Sequence, residues 1–350
     1  MENATHIVDA DAHVLESGAT WSYLSGSEAS FEPVAVKAAK KNGPEEEFWL
    51  LDGLLLPKSQ NMGTDTPRES RELTDVGARL RHMDRLGVDI QVIYPTVFLR
   101  PFTRRPEVEA ALYRSYNLWM ADVWRQGKDR IRWVALLPLL SMDQALNELR
   151  SARENGACGV FMRGLEADRH LCDPYFFPLY EAAGNLDLAV CVHSGSGSFA
   201  MHDYYHGETS FPKFKLLNVA AFHTLLFNGI PDMFPKLRFG FIESGAQWLP
   251  YAIRDLMRRI ERQRGNPKGT AKKNLLADNR FFVTCQTDDD LAYILPYSGE
   301  ESLIIGTDYG HSDVSAEIDA LKKLPQLPGV SARVAEKILS ENARRLYGLG

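Results

Sequence analysis

"HIVDADAHVLES" (residues 6–17) places Asp9, Asp11 and His13 at every second position, with Val8, Ala10, Ala12 and Val14 in the gaps. A period of two is the signature of a β-strand, so the three polar side chains share the face opposite the apolar ones. No glycine turn of the kind that cradles a dinucleotide phosphate follows, and an open doubly wound sheet would need one there. In a closed barrel, alternate residues of each strand point inward. Two carboxylates and an imidazole facing that interior are costly unless they are paired or hold a metal. His13 lies nearest the carboxyl end of the run and Asp11 one inward step deeper, so Asp-x-His reads as a two-ligand clamp. Asp9 falls below it, in a position suited to structural hydrogen bonding.

Seven more apolar, strand-length runs follow at 89–96, 131–139, 158–164, 188–195, 238–245, 281–286 and 302–310. Helical spacing separates most of them, as at 106–126, 142–156 and 246–265. Pro106 suits a helix start, and Gly156 and Gly265 suit helix ends. Eight strands alternating with helices predict an α/β fold with a parallel sheet, here a distorted (β/α)8 TIM barrel forming one domain over residues 1–350. Residues 17–74, rich in Gly, Pro, Ser and charge, read as an insertion after the first strand that serves as a lid or an oligomer contact. Residues 331–350 read as a closing helix.

The net charge of −6 gives no basic footprint for nucleic acid. No apolar run is long enough to span a bilayer, and no secretory signal is expected from "MENATHIVDADAH". Cys158, Cys172, Cys191 and Cys285 form no CxxC or zinc-ribbon spacing. Three sit in strand-like runs, where a reduced thiol acts as a small hydrophobe, so a reducing, cytoplasmic compartment is expected.

Active sites of such barrels form at the carboxyl ends of the strands. The fifth run ends in His193, the sixth in Glu243 and the eighth in Asp308, with His311 three residues on. Asp11, His13, His193 and Asp308 converging from separate strands would hold a divalent ion such as zinc, manganese or iron. Glu243, His311 and Glu16 are left to orient a metal-bound water, to bind a second metal or to serve as acid and base. Asp308, Glu243 and His311 are therefore the candidate catalytic residues. Arg163 is a candidate clamp for a substrate carboxylate, with a surface salt bridge as the competing role. Trp248 and Tyr309 are expected to line the pocket.

Other signals are weaker. "GSGSFA" (195–200) fits G-x-G-x-x-A, but "AMHDYYHGE" after it reads as a loop, so an active-site loop is expected instead of a dinucleotide turn. His202 and His206 lie four apart outside a convincing helix, at the edge of what could touch substrate or metal. His223, in a helical segment, reads as a packed or capped histidine. The "RRIERQR" run (258–264) reads as a solvated helix face.

From "VDADAH" through "GVDIQVIYPT", "RSYNLWMADV", "CVHSG" and "FPKLRFGFIESGAQWLPY" to "GTDYGHSD" and "ENARRLYGL", the chain resembles the amidohydrolase superfamily. The resemblance is to its amidohydrolase-related branch, which includes aminocarboxymuconate-semialdehyde and γ-resorcylate decarboxylases. It implies a distorted barrel with one or two divalent metals. The family's His-x-His or Glu-x-His corresponds to Asp11-x-His13, its strand-five His to His193 and its strand-eight Asp to Asp308. The chain departs at strand six, where the decarboxylases carry a catalytic His and this sequence has Glu243. No lysine at the end of strand four offers a carboxylated-lysine site.

A smaller set of relatives matches these departures, among them dinuclear iron or manganese oxygenases of the 2-aminoisobutyric acid hydroxylase type. The expected function is hydrolysis or non-oxidative decarboxylation of a small organic acid or amide, with zinc as the first-choice metal and iron or manganese as alternatives. The competing readings are a dinuclear oxygenase and a metal-binding partner subunit without activity. A homo-oligomer is expected, with a mixed assembly with a related barrel subunit as the alternative.

Overall fold

The structure, a computed structural model, describes residues 6–39, 45–58, 61–207, 211–262 and 274–350. Eight parallel strands run in chain order around the sheet. They are β1 (Val8–His13), β2 (Ile90–Tyr94), β3 (Ile131–Ala135), β4 (Ala157–Arg163), β5 (Ala189–His193), β6 (Phe239–Ile242), β7 (Phe281–Cys285) and β8 (Leu303–Ile305). Runs such as "AVCV" are apolar throughout because helices cover the outside and side chains fill the inside. All five residues of β5 are buried. Each strand falls on the run read from the sequence, β4 starting one residue before its run, and several stop short of its polar carboxyl end.

The barrel helices are α1 (Val76–Leu86), α2 (Pro106–Gly127), α3 (Met142–Glu154), α4 (Phe177–Asn185), α5 (Leu216–Phe227), α6 (Leu249–Arg262) and α7 (Leu291–Ser298). Asp75 caps α1 by accepting the Ala78 N–H, and Gly87 ends it in the left-handed region. Pro106 occupies the first turn of α2. The end of α6 expected at Gly265 lies outside the described residues. The closing segment is α8 (Ala332–Glu336), a π turn (Lys337–Glu341) and α9 (Asn342–Tyr347). It is anchored where the Tyr347 hydroxyl donates to the Ala10 carbonyl at 2.7 Å.

Two backbone hydrogen bonds stitch the last strand to the first: Asp308 N–H to Asp11 C=O and His13 N–H to Tyr309 C=O, each 2.9 Å. Gly306 permits this approach, since a Cβ there would sit 2.3 Å from the Asp11 Cβ. The β1–β2 register also slips between Asp9 and Ala12. Such a bulge re-aims side chains and separates Asp9 from the residues above it. Asp9 accepts from Gln91 at 2.8 Å and from the Thr307 N–H and hydroxyl at 2.9 and 2.6 Å. Gln91 accepts from the buried Arg79 at 2.6 Å, and Arg79 also donates to the His13 carbonyl. These bonds brace the floor under the upper end of β1.

The insertion after β1, expected as a lid or an oligomer contact, has secondary structure of its own. It forms a three-stranded antiparallel sheet of Val34–Ala38, Glu46–Leu51 and Leu54–Pro57. Trp21, Trp49, Leu51 and Leu56 from this insertion are buried in the common core. Spaced aromatic and branched residues supplied enough apolar area to order it. All four cysteines are free, and no helix among the described residues is long and apolar enough to cross a membrane.

Glu109 on α2 is buried, with its carboxylate accepting the Leu140 N–H at 2.8 Å. Burial pushes its pKa from the ordinary 4.5 up to about 8. Between those values the folded protein holds a proton that the unfolded chain releases, so stability falls as pH rises through that window. Melting temperatures from pH 5 to 9 should show this decline in the native chain. Glu109→Gln, which keeps an acceptor for Leu140, should flatten it by on the order of a few kcal/mol. Parallel curves for the two proteins would contradict the assignment.

Candidate metal centre

Barrel closure gathers six side chains from four strand ends. The His193 Nε2 lies 3.1 Å from the His13 Nε2 and 3.3 Å from the Asp11 Oδ1. The Asp308 Oδ1 is 3.4 Å from the His13 Nε2 and 2.7 Å from the His311 Nδ1. The Glu243 Oε2 is 3.2 Å from the His193 Nδ1. All six residues are buried. Glu243 and Asp308 reach inward from left-handed backbone, with φ of +63° and +50°. Non-glycine residues adopt that region at a cost that the surrounding structure must hold in place, as recurs at functional sites.

The imidazole tautomers follow from their outer partners. The His13 Nδ1 faces the Pro95 carbonyl at 3.0 Å, and the His193 Nδ1 faces the Ser194 carbonyl at 3.0 Å. A carbonyl only accepts, so each of these nitrogens carries a proton, and each Nε2 is the atom left to offer a lone pair to a cation. Thr96 donates its hydroxyl to the Val14 carbonyl and therefore accepts from the His311 Nε2 at 2.9 Å, which leaves the His311 Nδ1 as a lone pair. Three lone pairs thus converge on buried carboxylates. Among the described residues, both Asp308 oxygens, the Glu243 Oε2 and the His311 Nδ1 lack hydrogen-bond partners.

Such an arrangement repels itself unless a cation or protons fill it. Burial and the neighbouring Asp308 hold the Glu243 carboxyl well above the usual range, and burial with Asp313 does the same for Asp308. Burial and His311 push His13 down to about 3. Burial opposes a charge on His193, but Glu243 and Asp11 hold it up to about 9. The shifts favour protons on Glu243, Asp308 and His193, and leave His13 neutral.

The residues therefore fit a divalent metal. Among the described residues three groups qualify: Asp11, His13 and His193; His13, Asp308 and His311; and Glu243, Asp308 and Asp313. Within each group the donor atoms lie within 4.8 Å of one another. Mixed imidazole and carboxylate ligation suits manganese, iron or zinc.

Asp313 was not singled out in the sequence, although it stands two residues past His311 in "GHSD". It accepts from Asn61 of the insertion at 2.7 Å, which brings the insertion to the edge of the centre. Thr96 was also missed, because a lone hydroxyl in a β-rich run carries no sequence signal.

The structure gives four of the candidate residues other partners. Glu16 stands outside the three ligand groups, with its two oxygens accepting the Thr96 and Val97 N–H groups at 2.9 and 3.0 Å. Arg163 is neither a free clamp nor a surface ion pair. It is buried, holds Glu166 through two of its nitrogens, and donates to the Phe98 and Arg100 carbonyls. The Tyr309 hydroxyl is taken by the His82 Nδ1 at 2.6 Å, and its ring lies under the Arg79 guanidinium. The Trp248 indole N–H donates to the Gly245 carbonyl while its ring packs on Phe222.

Among the weaker signals, "GSGSFA" does lead into a short helix, Phe199–Tyr204, capped by Ser198, because a hydroxyl at the N-cap can start a turn that apolar periodicity does not announce. It carries His202. His223 pairs with Asp255 at 3.2 Å.

Comparison with known proteins adds the family. The chain is 24% identical over 290 residues to a 2-amino-3-carboxymuconate-6-semialdehyde decarboxylase of Dictyostelium discoideum, covering 79% of this chain and 77% of that protein. An amidohydrolase from Mycobacterium avium subsp. paratuberculosis K-10 superposes with a TM-score of 0.76 at 17% identity, over 99% of this chain and 100% of the other. A 5-carboxyvanillate decarboxylase from Novosphingobium aromaticivorans, complexed with manganese and 4-hydroxy-3-methoxy-5-nitrobenzoic acid, superposes with a TM-score of 0.64 at 21% identity, over 82% and 83% of the two chains. At these identities the solved structures establish the barrel fold. The sequence profile of the amidohydrolase family matches residues 8–349, essentially the whole described barrel, and the chain belongs to that family.

Proposed function

We propose that this amidohydrolase-family enzyme is a metal-dependent, non-oxidative decarboxylase of a small organic acid. The observation that carries the reading is the buried set of unpartnered Asp308, Glu243 and His311 atoms facing the lone pairs of His13 and His193. The likeness to decarboxylases, one of them complexed with manganese, supports it. Asp11, His13, His193 and Asp308 would hold the first cation, and Glu243, Asp313 and His311 offer donors for a second. Manganese is the metal to test first, ahead of zinc and iron. A bound divalent ion would neutralise the carboxylates and bind the anionic group of the substrate.

The chain's own residues then have a defined task. Breaking the bond to the departing carboxylate releases carbon dioxide and leaves an electron pair on the substrate carbon. That carbon needs one proton and no oxidant. Asp308 has two carboxylate oxygens without hydrogen-bond partners, and His311 lies against it at 2.7 Å. Asp308 delivers the proton, and His311, oriented by Thr96, holds the carboxyl in place. The buried walls exclude bulk water from the carbanion-like carbon. The oxygenase and partner-subunit readings draw no support from these likenesses. A homo-oligomer in a reducing cytoplasm remains part of the proposal, with the four free thiols in its favour.

Manganese-loaded protein should release carbon dioxide from at least one acid in a panel of hydroxylated benzoates and unsaturated dicarboxylates, equally well with and without oxygen. Chelator treatment should abolish the release and manganese should restore it. Metal binding without carbon dioxide from any acid, or turnover that survives chelation, would refute the reading.

A further inference from the structure

The segment Phe98–Arg100 follows β2 at the carboxyl end of the barrel, on the rim that carries His193 and Asp308. It is pinned from two sides. Arg163, at the end of β4, donates to the Phe98 and Arg100 carbonyls at 2.9 and 3.0 Å, and the Ser196 N–H, just past His193, donates to the Leu99 carbonyl at 3.0 Å. The backbone of Arg100 is therefore held while its side chain is directed over Phe214, with the guanidinium 5.8 Å from the ring centre. His202 lies against the same ring, with centroids 5.7 Å apart.

The neighbouring rim arginines each hold a carboxylate: Arg104 pairs with Asp168, Arg105 with Asp52 and Arg163 with Glu166. Arg100 is largely buried and pairs with no carboxylate among the described residues. Burial lowers its affinity for its proton, and no acidic neighbour offsets this. The His202 Nε2 beside it is buried and has no hydrogen-bond partner among the described residues. Burial, together with Arg100, Lys213 and Arg163, pushes His202 down to about 4, so it stands neutral and able to donate one N–H. A largely buried guanidinium without a counter-charge is costly. The guanidinium and the neutral imidazole thus both lie against the Phe214 ring, with no anion among the described residues to complete the set.

We propose that Arg100, with His202 and the face of Phe214, forms an anion subsite that takes a second acidic group of the substrate, while the departing carboxylate lies at the metal cluster. This rests on the decarboxylase reading and narrows its substrate class to diacids, or acids bearing another anionic group. Arg163 cannot play the part, because Glu166 and two carbonyls already occupy it.

Calorimetric titration of the manganese-loaded chain with benzoate and with the 1,2-, 1,3- and 1,4-benzenedicarboxylates tests it. A charge-assisted hydrogen bond should let the native chain bind at least one dicarboxylate about tenfold to a hundredfold more tightly than benzoate. Arg100→Gln should erase that preference and leave benzoate affinity unchanged. Arg100→Lys, which keeps the charge but not the fork, should retain part of it. This second variant decides the matter if the glutamine protein does not fold.

A native chain that treats all four acids alike overturns the subsite, as does an Arg100 variant that keeps the full preference. The two proposals fail separately. Loss of the dicarboxylate preference in Arg100→Gln, with no carbon dioxide from any acid, keeps the subsite and sinks the decarboxylase. Carbon dioxide release from monoacids and diacids alike, with no effect of the substitutions, does the reverse.

Discussion

Asp308→Asn is expected to fold normally and to lose about a thousandfold or more in turnover of whichever acid the native chain decarboxylates. The substitution preserves shape, so the backbone bond from the Asp308 N–H to the Asp11 carbonyl that closes the barrel is retained. It removes the carboxyl group that faces the His13 Nε2 and the His311 Nδ1. It also removes the only proton-carrying oxygen of that side chain, and positioned acid–base groups contribute roughly 10²–10⁴ in rate. Steady-state carbon dioxide release, alongside a melting curve to show folding, measures this. A folded Asn variant within tenfold of the native rate would remove Asp308 from the chemistry.

His193→Gln should produce the largest change in metal binding. In the native chain His193 presents its Nε2 to Asp11 and His13, and its Nδ1 to the Ser194 carbonyl and Glu243. It packs beside Tyr94 and Phe161, and glutamine fills most of that space. The variant loses an imidazole donor oriented by its outer partner. Disturbing only the outer partners of such ligands costs roughly tenfold to a hundredfold in affinity, so loss of the ligand itself should exceed that. Elemental analysis after dialysis and calorimetric titration with manganese would read it out. Unchanged metal content and affinity would exclude His193 as a ligand and break the first ligand group.

The eight strands and their helices were legible because each is a local pattern: continuous apolar runs of strand length, amphipathic spacing between them, and proline or glycine at helix ends. The polar residues at the strand ends were legible for a related reason. A histidine or carboxylate directly after "AVCV", "FGFI" or "IIGT" breaks an apolar run where a barrel builds its site. Arg163 misled because its position after β4 is that of a site residue. Only the fold shows that Glu166, three residues on, occupies its guanidinium. Tyr309 misled in the same way, since its partner His82 is remote in sequence. Glu16 stands three residues from His13, yet the loop after β2 turns two N–H groups onto it.

The sequence by itself determined the barrel, the order of its strands and the residue types offered to its carboxyl rim, because hydrophobic periodicity and chain length leave few other ways to bury so many apolar runs. Tertiary structure alone decided which of those residues face one another. It set the bulge in β1, the glycine-permitted approach of β8, the tautomers chosen by carbonyls and Thr96, and the engagement of Arg163 by Glu166. Most depend on contacts between segments far apart in the chain, and the cost of burying charge is settled by the neighbours that folding brings within a few ångströms.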